Sequence, residues 1–186
     1  MLCVGSFTTF DVVRGRQAPA LRARRQDRCR HTTHTAHGYL DSRPQRRSVF
    51  NAAMAASAPF FDHLAAAYRF PQTALVMDVG VPQGGDVYVL SRILHDWDDD
   101  RCTDILRNCR SAMKPDGRLL IVERLLPAPN TASLACEFDV QMMVVSPGGR
   151  ERDIPSYTSL LNNSRLALLS VIPLTFDINV LECKPA

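Results

Sequence analysis

Apolar positions divide this chain into two unlike parts. Through residues 1–47 they recur without a sustained period, and the stretch Arg14–Arg30 is rich in Arg with no apolar face to bury. Residues 1–47 are therefore expected to be a largely disordered tail. From Ser48 the pattern becomes regular. Phe50, Met54, Ala58, Phe61, Leu64, Ala65 and Tyr68 return at helical spacing, which predicts an amphipathic helix over 48–68, kinked by Pro59. Leu75-Val76-Met77-Asp78-Val79 reads as a short buried strand ending at Gly80. The turn Pro82-Gln83-Gly84-Gly85 then leads directly into a second strand, Asp86-Val87-Tyr88-Val89-Leu90.

The clearest segment follows. Asp98 is a good helix N-cap, and Asp99 and Asp100 lie in the first turn, where the helix dipole favours acids. Cys102, Ile105, Leu106, Cys109 and Met113 form one apolar stripe, and Pro115-Asp116-Gly117 stops the helix. Arg118–Glu123 is a strand built on the run Leu119-Leu120-Ile121-Val122. Strand, helix, strand implies a right-handed crossover and a parallel sheet. Helices are expected around 132–145 and 154–163. Two β segments, Leu166–Ile172 and Ile178–Cys183, are joined through Pro173 and suit an antiparallel pair at a sheet edge. The fold class is α/β: a mostly parallel sheet with an antiparallel C-terminal pair, flanked by helices.

Charge sharpens the division. The first 47 residues hold ten Arg, no Lys and three acids, whereas the remainder holds 12 basic and 16 acidic residues. An Arg-rich start suggests a transit peptide, but Asp11 and Asp27 interrupt it. A nucleic-acid arm would want interleaved aromatics or a reading motif, and neither is present. A poorly ordered tail, or a stretch that never belonged to the fold, is the plainer account. No apolar run approaches the ~20 residues of a membrane-spanning helix. The six cysteines (Cys3, Cys29, Cys102, Cys109, Cys136 and Cys183) form no CxxC pair. Buried free thiols in a reducing, cytoplasmic setting fit them better than disulfides. No metal site is expected. Cys29, His31, His34 and His37 match no standard zinc spacing, and Asp98-Asp99-Asp100 is better read as a helix start.

Four separated motifs carry a resemblance. The stretch from Asp86 to Asp99, ending Leu94-His95-Asp96-Trp97-Asp98-Asp99, is similar to the class I O-methyltransferases that include plant caffeate-type and bacterial polyketide enzymes. So are Ile105-Leu106-Arg107-Asn108-Cys109, Pro115–Glu123 and Gly148-Gly149-Arg150-Glu151-Arg152. The resemblance implies a Rossmann-like sheet, S-adenosylmethionine as cofactor, and a phenolic or polyketide-like hydroxyl as acceptor. It makes His95 the general base and Glu123 and Glu151 the carboxylates that orient it. It brings Trp97 beside the adenine, and assigns Asp139 with Met142 or Met143, more loosely, to the acceptor pocket. The chemistry suits a His. A phenol with pKa ~10 attacks poorly until deprotonated, and an imidazole of pKa ~6.5 is free to accept a proton at neutral pH.

The chain also departs from that family. Asp78-Val79-Gly80 begins its glycine-rich cofactor loop, but Val81-Pro82-Gln83-Gly84-Gly85-Asp86 belongs after a third strand. About two βαβ units, on the order of 50 residues, are missing between Gly80 and Val81, and with them the acid that holds the ribose. Gly80 and Ser91 are the remaining cofactor-contacting positions. The two flanking strands are expected to pair antiparallel, or the first to be displaced, since parallel neighbours need a long crossover. The resemblance divides the chain into a tail (1–47), a helical remnant of the N-terminal dimerisation region (48–70) and a partial catalytic domain (71–186). It implies a homodimer weakened by loss of that region. Two functions follow as expectations: an O-methyltransferase acting through His95, or a non-catalytic remnant that acts only through protein contacts or cannot bind the cofactor.

Overall fold

The computed structural model describes residues 43–55, 59–71, 76–78 and 84–186. The Arg-rich stretch, the Cys29–His37 pattern, Gly80 and the Gly80–Val81 junction lie outside the described residues. Helix is present over α1 (Pro44–Ala55) and α2 (Pro59–Ala67), and residues 56–58, which the expected helix crosses just before Pro59, lie outside the described residues. α1 opens on Pro44, inside the stretch expected to be irregular: the missing N–H of proline is tolerated in a first turn and its fixed φ favours helix entry there.

Five strands form one sheet in the order β1-β2-β3-β5-β4: β1 (Val76–Asp78), β2 (Val87–Ser91), β3 (Arg118–Arg124), β4 (Leu166–Pro173) and β5 (Ile178–Pro185). β1 and β2 pair parallel, as do β2 and β3, while β5 runs antiparallel to both β3 and β4. Only β5 is reversed. The expected antiparallel or displaced first strand is therefore corrected: Val76 pairs with Val87 and Asp78 with Val89, in parallel. Its brevity explains how. A three-residue strand requires a return of only about 10 Å, and residues 79–86 can span up to about 26 Å when extended. The C-terminal pair is antiparallel as expected, although β4 alone takes the edge.

Both faces of the sheet are covered, which is why β2 and β3 read as unbroken apolar runs. Tyr88, Leu90, Leu119 and Ile121 face one cluster, packed with α3 (Asp99–Ala112) and α5 (Ile154–Asn163) through Cys102, Leu106, Tyr157 and Leu161. Val87, Val89, Leu120 and Val122 face the other, with Leu64 of α2 and Val180 of β5. The stripe expected on α3 is buried in full. Cys102, Cys109 and Cys183 are free and buried, with thiols pushed up to about 12, chiefly by burial. No helix of the described residues is long and apolar enough to cross a membrane.

Asp98 caps α3 as expected, its carboxylate accepting from Arg101 N at 2.9 Å. Asp98→Ala is expected to lower stability by about 1 kcal/mol, measured as a fall in the urea midpoint with unchanged slope.

Candidate active site

The site is built where β2 and β3 end side by side. Ser91 pairs with Val122, and Arg92 then turns the chain through a left-handed conformation, φ 53°, with its N–H bonded to Val122 O at 2.9 Å. The next residues enter a single 3-10 turn, Leu94–Asp96, with no side-chain cap from Ile93. Glu123, buried near the end of β3, supplies what is missing. Its Oε1 accepts from Ile93 N and Leu94 N at 2.9 and 2.8 Å. Its Oε2 lies 3.0 Å from His95 Nδ1. One carboxylate thus shapes the turn and holds the imidazole that the turn carries.

Glu151 arrives from the loop between α4 (Leu134–Val145) and α5. Its N–H donates to Asp139 Oδ1 at 2.8 Å, and Arg150 N donates to His95 O at 2.8 Å. Glu151 Oε1 stands 3.7 Å from the same Nδ1. His95, Glu123 and Glu151, separated widely in sequence, are brought together. The Nδ1 approaches are ion-pair contacts without the alignment of a good hydrogen bond, since Nδ1, Glu123 Oε2 and both Glu151 oxygens lack an aligned partner.

Electrostatics follow from that crowding. Burial works against a charged His95, but Glu123 above all, then Asp96 and Glu151, outweigh it and raise its pKa to about 9. The expectation of an imidazole free at neutral pH is thereby corrected: among buried carboxylates it holds its proton. Burial likewise raises Glu151 to about 7, with Glu123 adding to the rise and His95 opposing it. Two carboxylates facing one nitrogen cannot both stay ionised without cost. One donor atom from each of the three residues lies within 4.8 Å of the others.

The other expected residues stand as follows. Ser91 Oγ is buried with no hydrogen-bond partner among the described residues. Trp97 is 38% exposed. Of the two methionines, Met142 is buried and Met143 exposed, and Asp139 is engaged in holding the Glu151 backbone. A polar cleft lined by Asp100, Thr103, Asp104, Arg107 and Asn163 shares no residue with the cluster. Sequence reasoning missed Arg152, a buried residue inside a motif it had already quoted. The signal was a cation beside a catalytic-type carboxylate. It also missed Arg124, whose Cζ lies 3.6 Å over the ring of Phe138.

Three adjacent parallel strands with helices packed on both faces make a Rossmann-like α/β domain. The profile described as O-methyltransferase domain matches residues 72–165, and the chain belongs to that family. It is 44% identical over 148 residues to the 3-amino-4-hydroxybenzoate 4-O-methyltransferase of Streptomyces cremeus, covering 78% of this chain and 40% of that protein. Among solved structures it resembles LaPhzM, with a TM-score of 0.76 and 29% identity, covering 82% of this chain and 62% of that one. It also resembles NcsB1, an O-methyltransferase from neocarzinostatin biosynthesis, in complex with S-adenosylhomocysteine and 1,4-dihydroxy-2-naphthoic acid. That TM-score is 0.51 at 29% identity, covering 57% and 31%. The match covers less than half of the Streptomyces relative's length.

Proposed function

We propose that this chain carries the catalytic half of an S-adenosylmethionine-dependent O-methyltransferase that acts on a hydroxyl of an aromatic small molecule. His95 is the general base, and Glu123 and Glu151 orient it. The observation that carries the reading is His95 Nδ1 standing 3.0 Å from Glu123 and 3.7 Å from Glu151, both buried. The relatives' names point to the acceptor class, since a hydroxybenzoate and a dihydroxynaphthoic acid are both phenols bearing a carboxylate.

With Nδ1 turned to the carboxylates, Nε2 is the nitrogen left for the acceptor. The competent state has one proton between imidazole and phenol, whether written as neutral His95 with phenol or charged His95 with phenolate. Protonated His95 with an un-ionised phenol has one proton too many. That proton must leave first, so kcat/KM is expected to rise about tenfold per pH unit until it levels near 9. After the acceptor's proton passes to Nε2, Glu123 stabilises the imidazolium.

S-adenosylmethionine is the cofactor that family membership implies, and when bound it supplies an electrophilic methyl group. The described residues that would meet it are Ser91, through its orphaned buried hydroxyl, and Trp97, through its half-open indole. An orphaned hydroxyl at a strand end fits a polar ligand. One observation favours the non-catalytic alternative: β1 reaches β2 within residues 79–86, too short for the strand that holds the ribose.

The test is calorimetry with S-adenosylhomocysteine, followed by transfer of labelled methyl to a hydroxybenzoate. Binding, with transfer reduced about 10²–10⁴-fold in His95→Ala, is the expected result. No binding at all, or transfer untouched by His95→Ala, would sink the reading.

A further inference from the structure

We propose that Arg152 is the positioning residue for the base. Its guanidinium clamps the turn that carries His95 to the loop that carries Glu151, and so sets the approach of one to the other. Arg152 is the largest fully buried side chain among the described residues, 1% exposed. A buried guanidinium is tolerated only when its donors are met, and the identity of its acceptors is what carries the inference. Nη1 donates to Leu94 O at 2.9 Å and Nη2 to Trp97 O at 2.7 Å. These two carbonyls bracket His95 and Asp96. Nε and Nη2 both donate to Asp99 Oδ1, at 3.0 and 2.8 Å, just beyond the turn.

Arg150, on the other side of Glu151, grips the same turn. Its N–H donates to His95 O at 2.8 Å, and its side chain pairs with Asp99. Residues 150 and 152 therefore hold the turn while Glu151, between them, meets His95 Nδ1. Gly149 gives an independent sign of the same docking. A Cβ there would lie 2.8 Å from His95 O and 2.7 Å from Ser146 Cβ, so the loop approaches the turn at backbone contact. Glu123 holds the turn separately, through Ile93 N and Leu94 N. Arg152 thus governs the Glu151 half of the cluster. A planar fork is needed for two carbonyls and a carboxylate in different directions, and an ammonium cannot reproduce it.

The inference rests on His95 being the base, but its test needs neither cofactor nor acceptor. The His95 imidazole is titrated by NMR in the full chain and in Arg152→Lys, which keeps the charge and loses the fork. The groups facing that ring are Glu123 from β3, Glu151 from the loop and Asp96 from its own turn. Folded Arg152→Lys is expected to hold the His95 proton more weakly than wild type, by less than Glu123→Gln does, because Glu151 adds less than Glu123 to the hold on that proton. An unchanged His95 titration in a folded Arg152→Lys protein would overturn the proposal, because a merely structural arginine would lower the melting temperature alone. Asp99→Ala covers the case in which Arg152→Lys does not fold, since the Asp99 carboxylate is half exposed and its Oδ1 alone accepts two of the clamp's bonds. A weakening in the same direction is expected there, and none would overturn the proposal.

Discussion

Glu123→Ala is expected to cost on the order of 3–5 kcal/mol of stability, read as a lower urea midpoint, and to abolish any methyl transfer. The large figure comes from what the carboxylate leaves behind. Ile93 N and Leu94 N, now bonded to Oε1 at 2.9 and 2.8 Å, would be orphaned in the interior, and each buried donor left unmet costs about 1–3 kcal/mol. The charged imidazole would also lose its nearest counter-ion. Glu123→Gln separates the two duties. Its amide oxygen can still accept from both backbone N–H groups, so most of the stability should remain. Its amide nitrogen would face Nδ1, favouring a neutral ring protonated on Nε2 and unable to accept the acceptor's proton. Folded and inactive is the expected outcome for Glu123→Gln; folded and active would remove Glu123 from the mechanism.

Stability is expected to fall as pH rises from about 5 to above 9. Two groups drive the fall, and both act in the same direction. His95 keeps its proton to about 9 in the folded chain, against an ordinary value of 6.5. The folded state therefore binds more protons than the unfolded one between those values, and that stabilisation is complete below 6.5 and lost as pH climbs through 9. Glu151 keeps its proton to about 7 against 4.5. It favours the folded state in acid, and that advantage is gone above 7. A shift of either size corresponds to on the order of 3 kcal/mol. Urea midpoints at pH 5, 7 and 9.5 should descend in order. Glu151→Gln should flatten the lower step and shrink the upper one, because the Glu151 charge also helps His95 hold its proton. A midpoint that rises between pH 7 and 9.5 would show that His95 is not held as a cation.

Where the sequence was legible, several local signals agreed. Asp98 as cap, two acids after it, a stripe at helical spacing and a Pro-Asp-Gly stop all specify α3, and each has a local cause. The run Leu119–Val122 betrays a strand buried on both faces because no polar residue interrupts it. His95, Glu123 and Glu151 were legible only through a motif, since no local rule makes an imidazole and two distant carboxylates converge. Two features depended on tertiary context. The parallel pairing of β1 turned on how short that strand is, not on the rule for ordinary crossovers. The charge on His95 follows from the carboxylates gathered round it, which outweigh its burial and which composition does not report.

The account depends most on an imidazole that two buried carboxylates keep charged at neutral pH in the ligand-free chain. Titrating the His95 ring by NMR in the ligand-free wild-type chain and in Glu123→Gln tests it most directly. The expected result is a wild-type inflexion near 9 that moves down by more than one pH unit in Glu123→Gln. A wild-type inflexion at or below the ordinary 6.5, unmoved by that substitution, would contradict it.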